Sequence, residues 1–358
     1  MDTMYSINDI KENIKRIRKN IGHDDSEINI KDMIFNEKSN ELWIITNDRP
    51  DKSVIIGKGG WVVGRLREDL NINKIHVDSY SDHILKKYKM NESLNKINSV
   101  IEDKNNNKND KSNGLINLKK LLEIKIENSY NFDFKEHLKK NESEYDKNNH
   151  EAIVALSGGV DSSFSLVLAK FLGFNPIAIT VDAGSIILPK HYKKNIDNLT
   201  KEIGVEHKYI KKDYSKIIHE SLVQGRFHPC GRCSSKTGET LFNFGLENDI
   251  DTVIFGDMLA TGSQCITNKI LNYNGEKKKM YRLNLPASLS IAKQEIKQVI
   301  ADYKVESIGG FGCPLLFEVH KKYPYMRKFS IQRILRETRS GALEAGEALN
   351  LIWSFAKK

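Results

Sequence analysis

The chain has 358 residues, of which 39% are hydrophobic and 29% charged, so it is long enough for two or three domains with cores of their own. It has no apolar run long enough to cross a bilayer and no signal-peptide core at residues 1–5, so we expect a cytoplasmic protein without a membrane partner. The net charge of +9 suits a polyanionic partner such as nucleic acid, although solvated basic faces would give the same charge.

The N-terminal part of the chain predicts a small α+β domain. Apolar residues at helical spacing predict a helix over residues 7–20, and two strands are expected at 28–35 and 41–46. A glycine-rich turn at residues 57–60 separates two helical stretches, and a further strand is expected at 74–78.

This order of elements, with a Gly-x-x-Gly turn between two helices, resembles a type II KH domain. The resemblance implies that residues 1–84 bind RNA, because such a loop lets a nucleic-acid backbone pass close to two helix ends. The implied RNA contacts are Gly57, Lys58, Gly59, Gly60, Trp61, Arg65 and Arg67. Trp61 would stack on a base or pack in the core. The alternative for the whole segment is a helix hairpin used only for protein contacts.

Residues 85–149 have the composition of a polar linker. The run at 103–111 consists of Asp, Lys and Asn, and 141–150 is again polar, so neither buries enough apolar surface to fold alone. Helical spacing returns over 115–126. The sequence therefore predicts a linker that contains short helices.

A strand, a glycine turn and a helix follow each other after residue 150. The apolar residues 153–156 lead into the turn, and helical spacing begins at Phe164. Unpaired N–H groups and the positive end of the helix dipole meet at such a turn and bind anions. Glycine leaves room for phosphate oxygens, hydroxyls add donors, and an aspartate can hold Mg²⁺ against phosphates. The predicted phosphate site consists of Ser157, Gly158, Gly159, Val160, Asp161, Ser162 and Ser163.

The motif has neither the lysine of a Walker loop nor the spacing Gly-x-Gly-x-x-Gly. Ser-Gly-Gly-Val-Asp-Ser-Ser after a strand is similar to the PP-loop of the ATP pyrophosphatase superfamily. The resemblance covers residues 150–330 and implies ATP and Mg²⁺ as cofactors. It also implies that AMP is transferred to a carbonyl oxygen and is then displaced by a nucleophile. The alternative is an ordinary Gly/Ser turn in a Rossmann-like fold.

Strands and helices alternate from Ala152 onward. This pattern predicts an α/β fold with a doubly wound parallel sheet, in which ligands lie at the carboxyl ends of the strands. With the resemblance, the fold class is adenine nucleotide alpha-hydrolase-like. Asp182 ends the second strand, and the resemblance places it at the adenosine pocket. Gly256-Asp257, followed by Ser263-Gln264, is similar to the second nucleotide motif of tRNA 4-thiouridine synthetases. Asp257 would bind the metal, position the activated oxygen, or cap a helix.

Four cysteines in such a chain indicate metal or sulfur chemistry more than structural disulfides. Cys230 and Cys233 form a Cys-x-x-Cys pair on a loop that opens a helix, and Cys313 lies in a distant glycine-rich loop. One interpretation is a 4Fe–4S cluster held by these three cysteines, with its fourth iron free, as in several tRNA thiolation enzymes of this superfamily. The alternatives are a zinc site of the same three cysteines, with or without His228, and a persulfide with a resolving thiol.

We favour the cluster because a free iron can hold hydrosulfide close to an oxygen that AMP has activated, which a structural zinc cannot do. Cys265 is expected to be a small buried residue. Residues 331–358 predict a basic helical tail that adds a basic surface beside the catalytic domain or is simply solvated.

The sequence thus predicts an ATP-dependent sulfurtransferase of RNA, with tRNA as the expected substrate. It would adenylate a base carbonyl oxygen, release pyrophosphate and replace the oxygen with sulfur from sulfide or a sulfur donor protein. The expected catalytic residues are Asp161, Asp257, Cys230, Cys233 and Cys313. Three alternatives stay open: a ligase or amidotransferase with a nitrogen nucleophile, a nucleotide-gated RNA-binding protein without chemistry, and sulfur transfer to a small molecule, with the N-terminal module used for homodimerisation.

Overall fold

The structure is a computed structural model that describes residues 5–23, 26–37, 39–106, 112–128, 132–141, 150–258, 264–306 and 310–356. Contacts divide the chain into one unit of residues 1–88 with 128–131 and a second unit of residues 89–127 with 132–358. In the ranges given above, no helix is long and apolar enough to cross a membrane.

The first unit is a three-stranded sheet covered by helices. Its elements are α1 (Ile7–Asn20), β1 (Ile30–Asn36), β2 (Glu41–Thr46), α2 (Arg49–Ile56), α3 (Trp61–Asp69) and β3 (Lys74–Ser79). β2 is central and pairs antiparallel with β1 and parallel with β3. α1 begins where Ser6 and Asp9 form a reciprocal capping box, and it buries Ile10, Ile14 and Ile17 in the core of this unit.

The segment predicted as a polar linker forms three helices, α4 (Tyr80–Asn106), α5 (Asn113–Glu127) and α6 (Phe134–Lys140). Ile97, Leu118 and Leu121 are fully buried in the main core of the second unit. The division of the chain therefore differs from the predicted boundaries at residues 84 and 149, because residues 89–127 contribute to that core. The polar residues 107–111 and 142–149 lie outside the described ranges.

The second unit contains a six-stranded sheet. Its strands are β4 (His150–Ala155), β5 (Phe174–Asp182), β6 (His207–Lys211), β7 (Thr252–Phe255), β8 (Ile266–Tyr273) and β9 (Glu276–Asn284), in the order β6-β5-β4-β7-β9-β8. All neighbouring strands are parallel except β8 and β9, which form an antiparallel hairpin. This topology confirms the predicted α/β class and adds one antiparallel edge strand.

Helices cover both faces of this sheet. They are α7 (Val160–Phe171), α8 (Lys190–Ile203), α9 (Ser215–Ile218), α10 (Pro229–Glu247), α11 (Leu285–Ser288), α12 (Lys293–Ile300), α13 (Pro314–Lys322), α14 (Arg327–Arg339) and α15 (Ala345–Ala356). Along β4, Ala152 and Val154 face one apolar cluster, whereas Ile153 faces another. Because both faces of β4 are buried, its sequence is a continuous apolar run instead of an alternation of apolar and polar residues.

The C-terminal helices form a small core of their own within the second unit. Ile334, Leu343, Ala348 and Phe355 are buried together between α14 and α15. The predicted start of a basic tail at residue 331 falls inside α14, so the end of the predicted catalytic domain and the start of the tail share one helix.

Candidate active site

The glycine turn between β4 and α7 has the geometry of an anion site. Gly158 has a φ of +79°, and a Cβ atom there would lie 2.6 Å from the carbonyl oxygen of Tyr192, so only glycine fits. Gly159 is the N-cap of α7 and offers no side-chain cap, which leaves N–H groups of the first turn available. The glycine turn thus lies at the end of β4, where the sequence predicted it.

The serines of the turn have distinct roles. The Ser157 N–H donates to the Ser162 hydroxyl at 3.1 Å, and the Ser162 hydroxyl donates to the Gly159 carbonyl at 3.0 Å, so both hold the loop in shape. The Ser163 hydroxyl is buried and has no hydrogen-bond partner among the described residues. Because an unpartnered buried hydroxyl is costly, this donor suits a ligand oxygen.

The end of β7 lies directly against the turn. A Cβ atom on Gly256 would come within 2.8 Å of the Asp161 carbonyl carbon and the Ser162 nitrogen. Gly256 therefore permits this close approach and brings the following residue, Asp257, to the same edge of the sheet. Residues 259–263, which hold most of the predicted second nucleotide motif including Ser263, lie outside the described ranges.

Each of the three predicted carboxylates forms an ion pair with a cation that sequence analysis missed. Asp161 pairs with Lys293, which belongs to α12. Asp182 accepts a 2.6 Å bond from Lys193, and this bond lowers the pKa of the carboxyl.

Asp257 completes the set, with a 2.6 Å bond from Arg282. The three carboxylates are oxygen ligands of the kind that Mg²⁺ prefers. A bound Mg²⁺ would compete for them with the lysine and arginine side chains that pair with them here.

Two cysteines lie at the start of α10 and the third at the start of α13. His228 is the N-cap of α10 and Pro229 is its first residue, so Cys230 and Cys233 belong to the first turns of the helix rather than to a loop. Cys313 is the N-cap of α13 and is likewise followed by a proline. Both groups of cysteines thus lie at the N-terminus of a helix that begins with a proline.

The charge of one cysteine thiol affects the pKa of its neighbours. Burial, together with the charge of Cys313, raises the pKa of Cys230 to about 11 and that of Cys233 to about 12. Burial also raises the pKa of Cys313. Cys265 is fully buried in a different part of the second unit, in the main core, as the sequence predicted.

Three mutually interacting thiols are a donor set that suits an iron–sulfur cluster with three cysteine ligands. Across the ranges that the structure describes, however, no three or more His, Cys, Asp or Glu side chains are arranged to hold a metal ion as they stand. Binding would therefore require the thiols to deprotonate and their side chains to turn. His228, the optional fourth ligand of the zinc alternative, has its Nε2 3.2 Å from the Ser330 hydroxyl.

Helix α14 contributes charges to the site that the sequence did not reveal. Arg333 bonds to Glu337 at 3.0 Å. The charges of Glu337, Cys230 and Asp257 raise the pKa of Arg333 even though desolvation acts in the opposite direction. Arg333 and Cys230 are 103 residues apart in the chain, which explains why no local pattern predicted their electrostatic interaction.

The loop at residues 57–60 in the first unit has the conformation that its glycines allow. Gly57, Gly59 and Gly60 have φ values of +70°, +64° and +80°, so the chain turns sharply between α2 and α3. Lys58, Arg65 and Arg67 are exposed, and Arg65 pairs with Glu68 and Asp69 on its own helix. Trp61 is 50% exposed, so it does not pack in the core of this unit.

Strand, glycine turn, helix and the neighbouring carboxylate-bearing strand end define a PP-loop, and the chain belongs to the PP-loop ATP pyrophosphatase superfamily. The family model of queuosine biosynthesis protein QueC matches residues 151–240. The chain is 31% identical over 264 residues to the uncharacterized protein MJ1638 of Methanocaldococcus jannaschii. This match covers 71% of the chain and 95% of MJ1638. It is therefore a member of the same family as MJ1638.

Other similarities are more distant. The tRNA-specific 2-thiouridylase MnmA of Lactobacillus gasseri is 26% identical over 172 residues, 43% of this chain and 44% of that protein. Among solved structures, the U34-tRNA thiolase NcsA from Methanococcus maripaludis with its [4Fe-4S] cluster is 17% identical, with a TM-score of 0.35 over 62% of this chain and 77% of that chain. NMN synthetase from Francisella tularensis is 13% identical, with a TM-score of 0.36 over 62% and 91%. Neither structural likeness is close enough to support an argument.

Proposed function

We propose that this protein is an ATP-dependent sulfurtransferase that thiolates a base of RNA, with tRNA as its substrate. The observation that carries the proposal is the presence of three thiols, Cys230, Cys233 and Cys313, at the starts of two contacting helices, α10 and α13, in the unit that holds the PP-loop. The similarity to a protein named tRNA-specific 2-thiouridylase supports the choice of sulfur as the nucleophile and tRNA as the acceptor.

The proposed reaction has two steps. A base carbonyl oxygen attacks the α-phosphorus of ATP, the bond to the β-phosphate breaks, and pyrophosphate leaves. A sulfur nucleophile then attacks the base carbon, and the carbon–oxygen bond breaks so that AMP leaves with the oxygen. The turn from Ser157 to Ser163 would hold the leaving phosphates through N–H groups and hydroxyls, and Asp161 and Asp257 would hold Mg²⁺. Asp182, at the end of β5, would face the adenosine.

Cys230, Cys233 and Cys313 would hold a 4Fe–4S cluster through their thiolates. When bound, such a cluster supplies an iron that no cysteine occupies and that can bind hydrosulfide from sulfide or a sulfur donor protein. In the alternative route, a sulfur donor protein transfers the outer sulfur of its own persulfide to one of the thiols. That outer sulfur attacks the base carbon, a second thiol attacks the inner sulfur to release the thiolated base and form a disulfide, and a thiol reductant then restores the two cysteines. In either route, the partial burial of the three thiols limits the access of water to the sulfur.

The iron content of the protein separates these routes. Protein purified without oxygen should be brown and contain iron and sulfide, whereas Cys313→Ser should lose the colour. The visible absorption spectrum and iron analysis measure both. Cys265→Ser is the matched control and should keep the iron, because Cys265 lies in the main core. Colourless, zinc-loaded wild-type protein would exclude the cluster.

We further propose that the first unit is a KH-like module that binds the RNA. Its order of elements, α1-β1-β2-α2-α3-β3, and its glycine turn between α2 and α3 support this proposal. Lys58 would contact phosphates at the turn, Arg65 and Arg67 would flank the bound strand, and the exposed Trp61 would stack on a base.

An assay with tRNA, ATP, Mg²⁺ and sulfide tests the function. We expect pyrophosphate and AMP to form in equal amounts with a thionucleoside, which mass spectrometry of digested tRNA detects. Cys230→Ser should abolish the thionucleoside and retain pyrophosphate release. Pyrophosphate release with an aminated or ligated product that does not need the thiols would instead indicate a nitrogen nucleophile. Nucleotide binding without pyrophosphate release would indicate a protein without this chemistry.

A further inference from the structure

Helix α14 has one face that reaches both the thiols and the PP-loop. Ser330, Arg333 and Glu337 are three and four residues apart and therefore lie along one side of the helix. Ser330 contacts His228, the N-cap of the helix that carries Cys230 and Cys233, at 3.2 Å. This end of the face is therefore next to the thiol-bearing helix start.

The other end of the face lies near the PP-loop. The charges of Asp161 and Lys293 act on Glu337, whose pKa is raised, chiefly by burial. Backbone bonds hold the two helices together here, since the N–H of Lys293 donates to the carbonyl of Ala342 at 2.8 Å and the N–H of Ala342 donates to the carbonyl of Glu337 at 3.0 Å. Glu337 therefore marks the side of α14 that meets the phosphate loop.

Arg333 lies between these two ends. Its side chain is 45% exposed, so a ligand can reach it, and Glu337 is its 3.0 Å partner. Its guanidinium carbon lies 5.5 Å from the centre of the Phe311 ring, two residues before Cys313. A planar guanidinium between a phosphate loop and a thiol group is well placed for an oxyanion, because it can donate two parallel hydrogen bonds.

We propose that Arg333 binds the α-phosphate, the phosphate attached to adenosine, in ATP and in the adenylated substrate. This inference rests on the proposed function and adds a residue to it. The turn at the start of α7 holds the phosphates that leave, and sulfur arrives from the thiols. The phosphate that must be stabilised between those two events is the α-phosphate. Arg333 is a cation on the helix whose one end contacts His228 and whose other end is bonded through Ala342 to Lys293. Glu337 holds the guanidinium in place until the nucleotide binds.

Binding measurements test this assignment on the full chain without requiring turnover. Calorimetric titrations with AMP, inorganic pyrophosphate and adenosine would be compared for wild type and Arg333→Ala. We expect the affinity for AMP to fall by about tenfold or more, as expected when a charge-assisted hydrogen bond is removed, while affinities for pyrophosphate and adenosine stay unchanged. Arg333→Lys should recover only part of the affinity, because an ammonium lacks the fork of donors.

Arg339→Ala is the matched control. Arg339 is exposed in the same helix, and the repeat of 3.6 residues per turn places it about 120° around the helix from Arg333. It should leave all three affinities unchanged. Unchanged AMP affinity in Arg333→Ala would overturn the assignment, and so would an equal loss for AMP and adenosine, which would indicate a structural effect. A wild-type protein that binds AMP through Arg333 but never thiolates RNA would refute the proposed function and leave this inference standing.

Discussion

At the scale of single residues, the site is held by opposite charges that a nucleotide with its metal would have to separate. Asp161 is paired with Lys293, and Asp257 is paired with Arg282, whose guanidinium also lies 3.9 Å from the centre of the Phe255 ring. Mg²⁺ would take the carboxylates and release the cations toward phosphate oxygens. The ion pairs thus keep both partners in position before the ligand arrives.

Asp161→Ala should reduce pyrophosphate release by about a hundredfold or more, because it removes a metal ligand at the reacting phosphates. A coupled pyrophosphate assay measures this. Asp249→Ala is the control, since Asp249 is an exposed aspartate, 86% accessible, whose partner is Lys278. It should behave as wild type. Pyrophosphate release by Asp161→Ala at the wild-type rate would contradict the role of Asp161.

The sequence was sufficient to predict the turn from Ser157 to Ser163, because strand, glycines and helix adjoin each other in the chain. It was not sufficient to find Lys293, which lies 132 positions beyond Asp161, or Arg333. Long-range ion pairs leave no periodic pattern, and a lysine or arginine in an amphipathic helix reads as a solvated residue. Cys230, Cys233 and Cys313 were found because cysteine is rare in this chain.

At the scale of elements, α4 shows how a polar segment joins a core. The helix ends in Asn- and Lys-rich sequence, yet Lys104 is only 1% exposed, and its Nζ lies 2.5 Å from Asp251 Oδ2. The same Nζ lies 4.9 Å from the centre of the Tyr281 ring. Asp251 immediately precedes β7, so this pair joins the end of α4 to the strand that presents Gly256 and Asp257.

Lys104→Met should destabilise the protein by about 3 kcal/mol, because it leaves Asp251 without its buried cation. Thermal and urea unfolding of the full chain measure the change. Lys119→Met, which removes an exposed cation 3.9 Å from Glu123 on α5, should cost less than about 1 kcal/mol. Equal unfolding midpoints for the two variants would show that the buried pair does not stabilise the second unit.

The predicted elements agree with the structure where periodicity was strong, as in α1 and β2. The sequence predicted a loop at Cys230 and Cys233, whereas α10 begins at Pro229, because the glycine and the cysteines of its first turns do not form an apolar stripe. The β8–β9 hairpin was missed, although Asn274-Gly275 is a strong turn signal; both residues have positive φ, +51° and +86°, as a two-residue hairpin requires. Four consecutive charged residues, Glu276 to Lys279, open β9, and such a run is typical of a solvated loop rather than of a strand.

At the scale of the whole molecule, the net charge of +9 and the exposed cations at and after the glycine turn of the first unit, Lys58, Arg65 and Arg67, favour a nucleic-acid partner. Such binding should weaken as salt rises, because each neutralised phosphate releases counterions. The first unit would then determine how strongly RNA is held, and the second unit which base reacts.

Lys58→Asp combined with Gly59→Asp should weaken tRNA binding and lower the salt slope by about 0.7 for each phosphate that the variant no longer neutralises. Fluorescence anisotropy over a range of salt concentrations measures both. Lys15→Asp is the control, because Lys15 is an exposed residue of α1 outside the turn. If the double variant bound tRNA with wild-type affinity and slope, the KH-like assignment would fail.

The order of strands in the large sheet has a consequence for how the protein behaves at high concentration. β6 and β8 are the outermost strands, and they carry exposed lysines: Lys208 and Lys211 on one, Lys269 on the other. An ammonium group on a bare strand repels the same group on an approaching copy and so discourages intermolecular strand pairing. These lysines therefore act as gatekeepers against fibrillar aggregation. Replacement of Lys208 and Lys269 by valine is expected to shorten the lag time of aggregation, while Lys211, which lies opposite Asp182 in the β5–β6 ladder, stays in place.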